Sequence, residues 1–345
     1  MINQINTSIP QSKPISFTSK SDVLRPIDDI GRLVIREFPL ISESKLVGFN
    51  SLQKKQNFKN YRKYVCKGIS TLRTHTDSII DNSKYLLSEL DAMKRFKLGN
   101  CSEMADAAYT ALKMNGYENA EIMWMYAYNP KTKVVRDLDH VVVGVNFNKP
   151  ENYTYCPLYQ MYFDKPSPNH LLSGGNKGIV IDTWAGTTDY GKNMGVKYNH
   201  NKALIRYYNE KAKGLGKPQY KTLLQNGEEI RFAPLEKSIT FSPDDWAYIN
   251  LNYSNLYLPE NRKLAQCHKI STDYKIPQIN EFNLTELKSR YGLKGAPTPE
   301  EIREHSQIAV DNWLTSRGYY QKNRETKEHS NIFEKLKDFI TSKIF

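Results

Sequence analysis

Apolar positions in this chain keep a helical rhythm through the first third and change to a strand rhythm soon after. From Phe58 onward, Tyr61, Val65, Ile69 and Leu72 recur at three- and four-residue spacing, and Ile79, Ile80, Leu86, Leu87 and Leu90 form a second stripe. The pattern predicts two helices broken near Thr76 and followed by the loop Lys97–Asn100. Cys66 lies on the first stripe and reads as a core residue. Upstream, Asp28 to Phe38 reads as a short helix stopped by Pro39.

The stretch from Gly99 to Met114 organises the rest. Asn100 is a good helix N-cap and Glu103 stands three residues on, so the pair reads as a capping box. Met104, Ala105, Ala108 and Leu112 then recur at helical spacing, and Gly116 supplies a stop. Cys101 is therefore the first helical residue, where unpaired backbone N–H groups and the positive end of the helix dipole favour a reactive thiolate. On this stretch alone, a small buried cysteine under a core helix is an equally good reading.

The rhythm then switches. Ala120 to Tyr128 is a run of apolar and aromatic residues, Asn129 to Thr132 a turn, and Leu138 to Phe147 a β-branched run. Asn148 to Lys177 reads as an irregular insertion, and Gly178 to Asp182 as a third strand closed by Thr183, Trp184, Ala185 and Gly186. Lys202 to Lys213 is helical in pattern. Arg231 to Leu258 mixes short strand-like runs with turns such as Ser242-Pro243-Asp244. Thr298-Pro299-Glu300-Glu301 opens a helix past Trp313. Asn331 to Phe345 is amphipathic and reads as a terminal helix docked on the core, with a basic helix lying on a membrane as the alternative. No repeat is found.

Composition narrows the class. The 345 residues are 39% hydrophobic and 12% aromatic, as in a soluble globular protein, and no apolar run is long enough to span a bilayer. Residues 1–25 are polar and rich in Ser, Asn and Pro. They read as a disordered tail without a Sec-type signal peptide, a start that injected bacterial effectors also carry. The four cysteines, Cys66, Cys101, Cys156 and Cys267, show no zinc spacing and suit a reducing compartment rather than a disulfide scaffold. The net charge of +12 is spread in lysine-rich pieces; it could favour acidic membranes, acidic partners or nucleic acid, and reads most simply as a solvated lysine-rich surface. No nucleic-acid module accompanies it, so nucleic acid is not expected as a partner. There is no HExxH helix, no P-loop and no strand-borne GxGxxG; Gly174-Gly175 stands in a loop without phosphate-site context. Cys267 and His268 are adjacent, which does not place them for proton transfer.

A cysteine nucleophile needs a base, and the base needs a third group to orient it. His140 is the one histidine inside a strand of apolar residues. On a regular strand it shares a face with Val142 and Gly144, while Asp139 points to the other. Asp182, at the end of the third strand, is the better orienting partner, with Trp184 placed to shield the contact. Each alone also fits a bland role, His140 as a satisfied core histidine and Asp182 as a turn-starting residue.

The order cysteine at the start of a helix, histidine in the second strand and aspartate at the end of the third is the arrangement of papain-like and transglutaminase-like folds. Gly99 to Ala105 resembles the nucleophile helix of that superfamily, and Asp139 to Val143 and Ile181 to Gly186 resemble its histidine and aspartate strands. More narrowly, the motifs resemble the Cys-His-Asp catalytic domains of bacterial toxins and injected effectors, the Pasteurella multocida toxin-type glutamine deamidases. The resemblance covers roughly Arg95 to Gly186. Thr183 stands where that family usually has proline, and the Asn148–Lys177 insertion lengthens the interval from His140 to Asp182, so Asp164 and Asp189 are the fallback aspartates. Arg95 stands where papain-type proteases keep an oxyanion-hole glutamine, leaving the Cys101 N–H and a second donor yet to be named.

The resemblance implies an α+β protein whose papain/transglutaminase-like core packs a nucleophile helix on an antiparallel sheet, with additional helical regions. It also implies Cys101 as nucleophile, His140 as acid and base, Asp182 as orienting group, and no cofactor. The expected organisation is the tail 1–25, a helical segment 26–57, and a cysteine hydrolase domain 58–345 with a C-terminal elaboration from about 190. The expected activity is deamidation of a glutamine in a host protein by a bacterial effector secreted into the host cytoplasm. A protease or transglutaminase using the same triad, or a non-catalytic adaptor, is the alternative.

Overall fold

The computed structural model describes residues 20–42, 58–156 and 166–292, with interruptions at 176, 200, 202–203, 206–207, 210–219, 226, 236–238, 266–268 and 280. The expected helices at Thr298 and Asn331, the fallback Asp164 and the Cys267-His268 pair lie outside the described residues, as do parts of the Asn148–Lys177 insertion and of the Lys202–Lys213 segment.

The described chain is an α+β structure. Four helices come first: α1 (Lys20–Glu37), α2 (Phe58–Thr76), α3 (Asn82–Phe96) and α4 (Cys101–Met114). Strands β1 (Glu121–Tyr128), β2 (Val135–Val145), β3 (Leu172–Ser173), β4 (Ile179–Asp182) and β5 (Thr187–Tyr190) follow, then α5 (Gly191–Asn199), β6 (Glu229–Pro234), α6 (Pro243–Asn252) and α7 (Glu281–Arg290). The six strands form one sheet in the order β3-β6-β1-β2-β4-β5, and every neighbouring pair is antiparallel. α4 packs against β2, with α1 and α3 beside it.

One large core joins the helices to the sheet. Ile27, Ile30, Val34, Leu86, Leu90, Ala108 and Leu112 meet Met123, Met125, Val142 and Ile181, all buried. A second cluster holds α2 to α3 and α7 through Tyr64, Val65, Ile69, Leu72 and Ala92. A third, on β1 with Tyr126, Val135, Cys156, Leu171 and Ala233, covers part of the sheet.

Several local expectations change. α1 starts at Lys20, so residues 20–25 are helical rather than part of a disordered tail. The stripe Ile27, Ile30 and Val34 extends back to Val23, and this amphipathic face packs on the core in spite of Pro26. Cys66 is exposed, because Tyr64, Val65, Ile69 and Leu72 define the buried side of α2 and position 66 rotates away from it. Ile80 is 98% exposed in the turn before Asp81, whose side chain accepts from the amides of Ser83 and Lys84 and so starts α3 only afterwards. Ser242-Pro243-Asp244 is not a turn between strands. Ser242 and Asp245 form a capping box with Pro243 in the first turn, and the sequence from there folds as α6.

Candidate functional site

The N-terminus of α4 is held by a dense set of contacts. The capping box forms, with the Asn100 amide donating to Glu103 Oε2 at 2.6 Å. Asn100 Oδ1 accepts from Ser42 Oγ at 2.6 Å, and Ser42 Oγ in turn accepts from the Trp184 indole N–H at 3.0 Å. Ser42 reaches this position because Ile41 bridges to Leu98 just after α1. Gly99 leaves little room here: a Cβ would stand 2.7 Å from Leu40 Cδ1 and 3.1 Å from Glu103 Cβ, so the Leu40 side chain would have to shift. Glu103, buried, also takes both arms of Arg73 from the last turn of α2, Nε at 2.5 Å and Nη2 at 3.0 Å. Cys101 is thus presented at a fixed helix start, half-buried.

β2 and β4 supply the other two groups. In their register Val143 faces Ile181 and Gly144 faces Val180, which puts Asp182 opposite Val142 and His140 one diagonal step away on the same face. The ladder with β1 slips in this region: Trp124 faces Val141, but Tyr126 faces Asp137. The extra residues form a bulge in which Asp139 takes φ 45° and its amide bonds to Asp137 Oδ1 at 2.7 Å. A bulge re-aims the side chain that follows it. Here that side chain is His140, whose Nε2 lies 2.6 Å from Asp182 Oδ2, both residues being buried.

Asp182 is fully engaged. Oδ1 accepts the Ala185 amide at 2.8 Å, and Oδ2 accepts the Tyr198 hydroxyl at 2.8 Å in addition to His140. Tyr198 arrives on α5, which can start where it does because Gly174 and Gly191 meet backbone to backbone; a Cβ on Gly174 would overlap Gly191. The ring of His140 is flanked edge-on by Trp184 at 5.3 Å and Tyr198 at 6.2 Å between centroids. Thr183, in the position of the expected proline, donates its hydroxyl to the Met104 carbonyl at 2.9 Å and so ties the Asp182 turn to α4.

The electrostatics favour a charged imidazole. Burial by itself would lower the His140 pKa, but the charge and hydrogen bond of Asp182, with a hydrogen bond and charge from Cys101, outweigh it and push it up to about 10. Nε2 is committed to Asp182, which leaves Nδ1 as the ring nitrogen that a thiol could use. Beneath α4, Glu89 is raised well above the ordinary carboxyl range by burial and by neighbouring Asp106. Arg73 stays charged against burial because Glu103, then Cys101 and Glu89, favour its cation.

Of the residues singled out in the sequence, Cys101, His140 and Asp182 come together. Asp139 is exposed on the bulge. Asp189 is used elsewhere: it accepts from Asn193 at 3.0 Å and pairs with Lys197 at 3.1 Å on α5. Tyr198, Ser42 and Arg73 were not foreseen; no local motif marks them. Among the described residues no group of three His, Cys, Asp or Glu side chains is disposed to hold a metal ion, and no helix is long and apolar enough to cross a membrane. No protein-family model matches the chain, no curated protein matches it, and no solved structure matches it.

Proposed function

We propose that this chain is a thiol hydrolase with a Cys101–His140–Asp182 triad on a papain/transglutaminase-like core, and that it deamidates a glutamine side chain of a host protein as a bacterial effector. The observation that supports this most is the relay itself: a cysteine at a helix N-terminus, a buried histidine whose charged form that cysteine favours, and a carboxylate 2.6 Å behind that histidine. The chain order and the flanking motifs of these residues add the likeness to toxin-type deamidases noted above.

In this reading Cys101 transfers its proton to His140 Nδ1, and the thiolate attacks the carboxamide carbon. The resulting oxyanion lies toward the Cys101 backbone N–H at the start of α4. His140 then gives its proton to the departing ammonia, leaving a thioester on Sγ. A water molecule, losing a proton to His140, attacks the thioester; the C–S bond breaks and the thiol is restored. Glutamine and water become glutamate and ammonia. Asp182 keeps Nε2 protonated and stabilises the imidazolium at both stages, and the rings of Trp184 and Tyr198 keep water from that contact.

The test is mass analysis of host-cell proteins exposed to the wild-type chain and to Cys101→Ala. Deamidation without new chain termini, absent in the variant, supports the proposal. New termini would make the enzyme a protease, and a biological effect that survives Cys101→Ala would make it an adaptor.

A further inference from the structure

Most of the basic residues of α2 stand where they do not favour that helix. Its sequence carries Lys59, Arg62, Lys63, Lys67 and Arg73 and not one acidic residue. Three of these cations stand in its first half, where the helix dipole favours acids and disfavours bases. Yet the opposite side of α2 is packed in the ordinary way through Tyr64, Val65, Ile69 and Leu72. Among the described side chains, the exposed side, with Arg62, Lys63, Cys66, Lys67, Ser70 and Thr74, contains no large apolar residue. A membrane-lying helix would need such residues to enter the acyl boundary.

This cationic side leads to the candidate site. Arg62 and Arg73 are eleven positions apart, which brings them back to the same side of the helix after about three turns, roughly 16 Å along its axis. At the far end Arg73 is anchored through Nε and Nη2 to Glu103, two residues past Cys101. The carboxylate of that pair is buried, with 4% of its side chain exposed, whereas 42% of the Arg73 side chain is open. What faces outward is therefore the cation. Among the described residues no hydrogen bond engages Arg73 Nη1, whose two N–H groups are suited to a carboxylate or a backbone carbonyl.

We propose that the exposed face of α2, ending at Arg73, is a docking track for an acidic segment of the protein substrate. It steers that segment toward Cys101, and Arg73 Nη1 takes an acceptor beside the target residue. This rests on Cys101 being the reactive centre. The net charge of +12 gives the same sign of long-range attraction.

Two measurements test it, neither needing turnover. In the first, a fluorescently labelled glutamine-containing peptide rich in Glu, and its counterpart with Gln in place of Glu, are titrated against the full chain carrying Cys101→Ala. The acidic peptide is expected to bind, to weaken roughly tenfold on Arg62→Gln/Lys63→Gln/Lys67→Gln, and to weaken with salt. Equal binding of both peptides, or binding indifferent to the triple substitution, overturns the track. So does binding of vesicles of anionic phospholipid or of an oligonucleotide through α2 when the acidic peptide does not bind. In the second, Cys101 is alkylated by iodoacetate and by iodoacetamide. Arg73→Gln is expected to lower the iodoacetate-to-iodoacetamide rate ratio several-fold, while the triple variant leaves the iodoacetamide rate unchanged. A ratio unmoved by Arg73→Gln removes Arg73 from the proposal. Peptide docking with an unreactive Cys101 would refute the catalytic reading and leave the track standing.

Discussion

Tyr198 and His140 meet on one atom: the tyrosine hydroxyl and the histidine Nε2 both bond Oδ2 of Asp182, at 2.8 and 2.6 Å. The two rings stand nearly perpendicular, at 87°. The carboxylate that orients His140 is thus itself held by a residue on α5, with its other oxygen fixed by the Ala185 amide. Orientation at this site is built in two layers, and the outer one is open to test.

Tyr198→Phe removes one hydrogen bond to a buried carboxylate and keeps the packing. It is expected to lower stability by about 1.5–3 kcal/mol in urea unfolding. It should also slow Cys101 chemistry less than Asp182→Asn does, since the contact to His140 remains. A Tyr198→Phe chain as stable as wild type would mean that the hydroxyl is not carrying Asp182.

The His140 pKa, raised to about 10 in the folded chain from 6.5, makes stability depend on pH. A raised value means that the folded state holds the proton more tightly. The contribution is complete below about pH 6.5 and is lost as pH rises toward 10. The cleanest comparison uses Cys101→Ala, which removes the titration of the thiol, against the same chain with Asp182→Asn. The first should lose stability steadily across that window and the second far less. Parallel curves would contradict the ion pair.

Glu89 gives a separate expectation. Burial first, and then Asp106, raise its folded pKa well above 4.5, so wild type loses stability as pH climbs from there toward the folded value. Glu89→Gln keeps the shape without the ionisation. Its stability relative to wild type should rise between pH 5 and 8, read from urea midpoints at each pH. A difference that does not change with pH would mean that Glu89 is not protonated in the fold.

The parts of the site written in short segments were legible before folding. The N-cap, capping box and apolar spacing around Cys101 obey local rules, and the helix begins where they say. His140 stood out as a polar residue in an apolar strand, and Asp182 as an acid at a strand end. The bulge at Asp139 left no signal, because it arises from the ladder with β1 rather than from residues 138–140 themselves. A regular strand put His140 on the right face only because the displaced residues preserve the alternation. Tyr198 is one of 23 tyrosines, with nothing in its neighbours to single it out, and its partner lies in another element. Ser42 and Arg73 are alike in this: topology, not spacing, brings them to α4. The start of α6 is different, since Ser242, Pro243 and Asp245 do spell a helix start that the surrounding strand-like pattern obscured.

The central claim, a reactive thiol paired with His140, is tested most directly by alkylating the chain with iodoacetamide near neutral pH and following the Cys101 peptide by mass spectrometry. Free cysteine in the same buffer serves as the reference. The expected result is labelling of Cys101 several-fold faster than free cysteine. His140→Ala should slow Cys101 at least tenfold. A wild-type Cys101 that labels no faster than free cysteine and does not respond to His140→Ala would contradict the account.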